Sequence, residues 1–144
     1  MFSPTPTRAR RSPPPSASTR RLWADRLLHR SAFLDAADRA LLEQVIGRGA
    51  SPTELARAAN LSPRSVQRRV QRLAQRLSDP EVESVLRQAD HWPAQTAAVG
   101  LALWVKGWTQ RQTAQRLNLS LHRVRCQAMV VRGLLESPIP GPRR

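Results

Sequence analysis

The chain has 144 residues and carries 24 Lys and Arg against 10 Asp and Glu, a formal charge of +14, so a polyanionic partner is the first expectation. Its 40% hydrophobic content supports a modest core, in one compact domain or two very small ones. A single cysteine, Cys126, excludes an internal disulfide framework and a cysteine-based zinc site, and no apolar run approaches the ~18–20 residues that span a membrane. Lys106 is the only lysine. Arginine's planar fork suits bidentate contacts to phosphates and guanine edges. A codon bias would account for Arg over Lys, but not for the shortage of acids.

Residues 1–20, "MFSPTPTRARRSPPPSASTR", hold five prolines and no acid and read as a disordered basic tail. Arg8, Arg10, Arg11, Arg20 and Arg21 would let it lie loosely on nucleic acid; a solvated leader without a role is the alternative. There is no apolar core for a secretory signal, and the composition would also suit an organelle transit peptide. Residues 137–144 read as a flexible C-terminus.

Between the tails everything reads as helix, because no useful length alternates with period two. Helices are expected near 22–30, 36–48, 52–59, 63–77, 80–89, 93–106, 110–117 and 121–135. Pro52, Pro63 and Pro80 each follow a good capping residue and mark helix starts. Ser51-x-x-Glu54 and Thr109-x-x-Gln112 fit the capping box. Gly49 and Gly107 stand where a preceding helix should end.

The body contains an internal echo. A shift of 58 residues brings Gly49 onto Gly107, Ser51 onto Thr109, Ala56 onto Ala114 and Asn60 onto Asn118. Leu61, Ser62 and Val66 then fall on Leu119, Ser120 and Val124. Each copy reads as a short helix with a small residue at a close approach, then Asn in a tight turn. A Leu plugging the interhelical angle follows, then a Ser cap and a Val packing back. This is the helix-turn-helix pattern, whose second helix enters the DNA major groove. The fold class expected is all-α: two tandem helix-turn-helix units, 21–78 and 79–136, in a small helical bundle.

The first unit has the better reading surface. Helix 63–77 carries an apolar stripe of Val66, Val70, Leu73 and Leu77. At about 100° per residue its opposite face carries Arg64, Arg68, Gln71, Arg72 and Gln75, flanked by Ser65, Gln67, Arg69 and Arg76. Arg and Gln pair with guanine and adenine edges, and no acid occurs between Glu54 and Asp79. The candidate DNA contacts of this unit are Arg64, Ser65, Gln67, Arg68, Arg69 and Arg72. In the second unit, His122, Arg123 and Arg125 are candidates. There the outward face also holds Cys126, Met129 and Val130, poor partners for phosphate, so packing on the first unit or on another protein is favoured. The preceding "TAAVGLALWVKGW" is apolar nearly all round and should be buried.

No catalytic, metal or cofactor site is expected. His29, His91 and His122 lie far apart, Asp90-His91 lacks a nucleophile, and there is no Gly-rich phosphate loop. Asp79, Glu81 and Glu83 suit a helix N-terminus through its dipole.

Residues 35–77, with "DRALLEQVI" before "ELARAANLSPRSVQRRVQRL", resemble region 4 of bacterial sigma-70-family factors. The resemblance implies promoter binding through Arg64, Ser65, Gln67 and Arg68, and RNA polymerase core as a partner. Asn60 stands where that family usually has glycine, and no segment before residue 35 reads as the family's other promoter-binding region, so a complete sigma factor is not expected. "ALWVKGWTQRQTAQRLNLSLHRVR" is similar to paired DNA-binding regions of transposases. Three functions follow: a transcription protein binding double-stranded DNA, a DNA-end-binding component of transposition or phage packaging, or a helical interaction module. A cytoplasmic, nucleoid-associated place in a bacterium is expected, with no membrane partner; a homo-oligomer or protein partner would use the second unit.

Overall fold

The computed structural model describes residues 13–137. Its helices are α1 (Ala17–Arg30), α2 (Ala36–Leu42), α3 (Pro52–Ala59), α4 (Pro63–Leu77), α5 (Pro80–Gln88), α6 (Ala94–Gly100), α7 (Gln110–Arg116) and α8 (Leu121–Glu136). No strand occurs among the described residues. Three of the expected starts are built as anticipated. Pro52, Pro63 and Pro80 occupy first-turn positions behind Ser51, Ser62 and Asp79, and each cap side chain accepts a backbone N–H of the first turn.

The 58-residue shift holds for the backbone well beyond the turn motif. Each half runs as helix, a 3-10 turn (Ser31–Phe33 or Ala89–His91), then a helix whose last turn widens to π geometry (Glu43–Gly47 or Leu101–Lys106), then the helix pair. The four residues with positive φ among those described are two glycines and two asparagines in matched positions: Gly49 (68°) and Gly107 (73°), Asn60 (56°) and Asn118 (54°). Individual hydrogen bonds repeat as well. Leu61 donates to the Ala56 carbonyl at 2.8 Å, and Leu119 to that of Ala114 at 2.9 Å. Ala50 donates to Gln44 at 2.8 Å, and Trp108 to Ala102 at 2.9 Å. The two halves are one fold written twice.

The halves share one core. Leu27, Leu42, Leu73 and Leu77 from the first meet Val82, Val85, Trp92, Val105 and Val131 from the second in a single cluster. Matched positions are filled differently there. Leu34 and Leu42 in the first half correspond to Trp92 and Gly100 in the second, and all four are buried. A Cβ placed on Gly100 would stand 3.0 Å from Trp92 Cζ3. The large ring and the missing side chain thus compensate, keeping interior volume close to constant. Polar links reinforce the junction: Arg30 donates to the Leu77 carbonyl, and Trp108 Nε1 donates to Asp35 Oδ2 at 2.8 Å.

Several expectations need correction. The tail was expected to extend through residue 20, but α1 starts at Ala17, because Ser16 Oγ accepts the Thr19 N–H at 3.2 Å. Residues 1–12, with Arg8, Arg10 and Arg11, lie outside the described residues. So do residues 138–144 of the expected flexible C-terminus; Ser137 closes α8 by donating to the Gly133 carbonyl. Of the two capping boxes, only Thr109–Gln112 is complete, whereas Ser51 caps through the Thr53 N–H at 3.2 Å. Leu61 does not plug the interhelical angle; it is 52% exposed. It lines an open groove between α2, α3 and α4, together with Ala37, Ala40, Leu55 and Ala59. Its counterpart Leu119 is half-buried.

Candidate nucleic-acid interface

The reading helix is aimed by its turn. Asn60 ends α3 in the left-handed region, where Asn is tolerated better than other side chains bearing a Cβ. Ala56 is 1% exposed, so no larger side chain could stand where α3 meets α4. Ser62 Oγ then accepts the Ser65 N–H at 3.2 Å and starts α4. Val66, Leu73 and Leu77 are buried and Val70 is half-buried, as the apolar stripe predicted. Burying that stripe turns the opposite face of α4 outward.

All six first-unit candidates are exposed, but they are not equivalent. Arg64 and Arg68 make no side-chain hydrogen bond to the described protein, and with Gln71 and Gln75 they form the outermost row. Gln67 is exposed on one flank. Ser65 is partly committed, its hydroxyl lying 2.8 Å from that of Ser62. Arg69 is held by Asp38, with Nη2 and Nε donating to Oδ1 at 2.6 and 2.9 Å. Arg72 reaches back to the Arg68 carbonyl in a long contact of 3.4 Å, which leaves its charge available. Arginines at this spacing, without an acid on their own helix, make the face strongly electropositive.

The second-unit candidates sit on α8. His122, Arg123 and Arg125 are exposed near its start, and His122 Nε2 lies 3.5 Å from Cys126 Sγ. Of the two expected packing places for the outward face of α8, the first unit or another protein, the first is overturned. Met129 is 75% exposed and Val130 48%, and no described residue covers them. The buried element is instead α6 with the π turn that follows it, where no residue from Thr96 to Lys106 is exposed. That part of the reading, taken from its all-round apolar sequence, matches the structure. Val124 and Val131 of α8 are fully buried, so α8 is half core and half bare surface.

A further group of cations was not assembled from the sequence. Arg76, on the same flank of α4 as Arg69 and Arg72, donates through Nη1 to the Lys106 carbonyl at 3.1 Å. Its guanidinium lies against Gly107, where a Cβ would approach Cζ within 2.3 Å. The Lys106 ammonium and the Arg116 guanidinium lie over the Trp108 ring, 4.7 and 4.5 Å from its centre. Arg116 also donates to Asp35 Oδ2 at 3.2 Å. The i, i+3, i+7 spacing of Arg69, Arg72 and Arg76 was visible, but the loop residues they face come from the other half of the chain.

Residues 34–76 match the winged helix-turn-helix DNA-binding family. This segment is a helix-turn-helix DNA-binding domain. The match takes in α2, α3 and nearly all of α4 and does not extend to the second copy. Nothing in it is particular to sigma factors. No strand follows α4 among the described residues; Ser78 and Asp79 lead directly into α5. No curated protein and no solved structure matches the chain. No group of three or more His, Cys, Asp or Glu among the described residues could hold a metal ion. No described helix is long and apolar enough to cross a membrane.

Proposed function

We propose that the protein is a sequence-specific reader of double-stranded DNA that acts in transcription regulation, as a binding protein and not an enzyme. The observation that carries this reading is the outward face of α4. Arg64, Arg68, Gln71 and Gln75 stand there exposed on a helix fixed by a helix-turn-helix turn. In such a placement the N-terminal part of the helix meets base edges, where Arg discriminates guanine and Gln adenine. The likeness of residues 35–77 to sigma-70 region 4 supports a place at promoters, with RNA polymerase core as a second partner. The charge of +14 supports association with a polyanion such as nucleoid DNA.

The decisive experiment is selection of bound sequences from a random pool of duplex DNA. A reproducible motif is expected, and its information should collapse at specific positions in Arg64→Ala and Arg68→Ala. Recovery of no motif, or one unchanged in both variants, would overturn the assignment of α4 as reader.

A further inference from the structure

A cleft of about 300 Å³ separates the flank of α4 from the connection between α6 and α7. Arg72 and Arg76 line one wall, and Lys106, Trp108 and Arg116 the other. The acids at its edge are already engaged: Asp38 holds Arg69, while Asp35 accepts from both Trp108 and Arg116. With Arg69 and Arg116 thus paired, Arg72, Arg76 and Lys106 keep an uncompensated positive charge. Two of these cations are held in place: Arg76 by its bond to the Lys106 carbonyl, and Lys106 by stacking on Trp108.

The geometry points to this cleft as a seat for the sugar-phosphate backbone of the duplex whose major groove α4 reads. The inference rests on the reading of α4 given above and adds a role for the second half. An α-helix is about 10–12 Å across and fills a groove about 12 Å wide, so its flanks face the two phosphate strands. The flanks of α4 differ sharply. Gln67 and Ala74 lie on one; Arg69, Arg72 and Arg76 lie on the other. Asp38 holds Arg69 at the start of this row, so its free charge is that of Arg72 and Arg76, about 6 Å apart along the helix axis. Lys106 prolongs it onto the second unit. That half would then grip the strand without reading bases, consistent with an α8 face that ends in Met129 and Val130.

The test measures the affinity of the full chain for its selected duplex, and for an unrelated one, across a salt series. Lys106→Ala and Arg72→Ala should each weaken both duplexes alike and reduce the steepness of the salt dependence by about one phosphate. Between about 50 and 200 mM salt, each variant should therefore lose about threefold less affinity than the parent chain. Lys106→Arg should restore the parent slope, and unchanged thermal unfolding would exclude a folding defect. An unchanged slope in both alanine variants, while Arg68→Ala still loses its sequence preference, would overturn the cleft and leave the reading helix standing. If Arg68→Ala also changes nothing, the reading of α4 has failed instead. Saturable binding of inorganic pyrophosphate that duplex DNA does not displace would also overturn the inference, because the cleft would then serve a small anion.

Discussion

Asp38 and Arg69 are joined by an ion pair of 2.6 Å, and their counterparts in the second half, Thr96 and Gln127, keep the same link as a neutral hydrogen bond of 2.7 Å. One tether between the second and last helices of a unit is thus made in two chemistries. The charged version stands beside the reading face, and the neutral one beneath the bare face of α8. Asp38 therefore restrains a cation that could otherwise reach phosphate. Asp38→Asn is expected to raise DNA affinity about threefold at low salt and to steepen the salt dependence by up to about one phosphate. The stability change should stay below about 1 kcal/mol, since the pair is partly solvated. Titrations at several salt concentrations decide; an unchanged slope would mean that Arg69 does not reach the backbone.

The two outward arginines nearest the start of α4 should outweigh their relatives on α8. Arg68→Ala is expected to weaken the preferred site by about 1–3 kcal/mol and relax base choice at one position. Arg125→Ala should give a smaller loss, equal for preferred and unrelated duplexes. Binding curves on both duplexes check this, and equal, sequence-dependent losses would show that both units read bases.

Gly49 and Gly107 share a left-handed backbone but not a neighbourhood. A Cβ on Gly49 meets nothing within 4 Å, whereas one on Gly107 meets the Arg76 guanidinium. Both Gly→Ala variants should lose about 1 kcal/mol to the conformation itself. Gly107→Ala should lose about 1 kcal/mol more, because Arg76 must give up its bond to the Lys106 carbonyl. Denaturant unfolding of both variants, repeated in an Arg76→Ala background, is the check. The excess at Gly107 should vanish once Arg76 is absent.

Much of this was legible in the sequence because it is written in local chemistry. The Ser-Pro and Asp-Pro pairs announced helix starts, Asn60 and Asn118 announced their turns, and the valine-leucine spacing of α4 gave its buried stripe. What stayed hidden depends on residues far apart in the chain. Nothing near Arg69 signals Asp38, and nothing near Arg76 signals that it lies on Gly107. Leu61 looked like a plug because such turns usually bury that position; it instead lines a groove with Ala37 and Ala40, more than twenty residues earlier. Of the two places where the outward face of α8 was expected to pack, the first unit is excluded for a related reason: α6 fills the core space next to α8, and Met129 and Val130 stay exposed.

The exchange of Leu34 and Leu42 for Trp92 and Gly100 makes a prediction about packing. Gly100→Leu should destabilise by more than about 2 kcal/mol, since the side chain would collide with Trp92 and Val131. Trp92→Leu should cost about 2–4 kcal/mol through the cavity it leaves. Combined, the two changes recreate the first half's Leu–Leu pair and should cost less than their sum, which double-mutant analysis by denaturant unfolding measures. Strict additivity would mean that the two positions do not share a space.

Leu77 is the point at which the two halves become one structure. It is fully buried at the end of α4, beside Val82 and Val85 of α5 in the shared cluster, and its carbonyl accepts from Arg30. Leu77→Ala should destabilise by about 2–5 kcal/mol. Because the cluster draws side chains from both halves, the loss should appear in both at once. Of the tryptophans, Trp23 lies in the first half and Trp92, Trp104 and Trp108 in the second. Tryptophan fluorescence, weighted to the second half, and far-ultraviolet circular dichroism, which reports helices of both halves, should therefore give the same midpoint, in the parent chain and with Leu77→Ala alike. Two separated transitions would show that each half folds on its own core, and would leave the cleft between them without a fixed geometry.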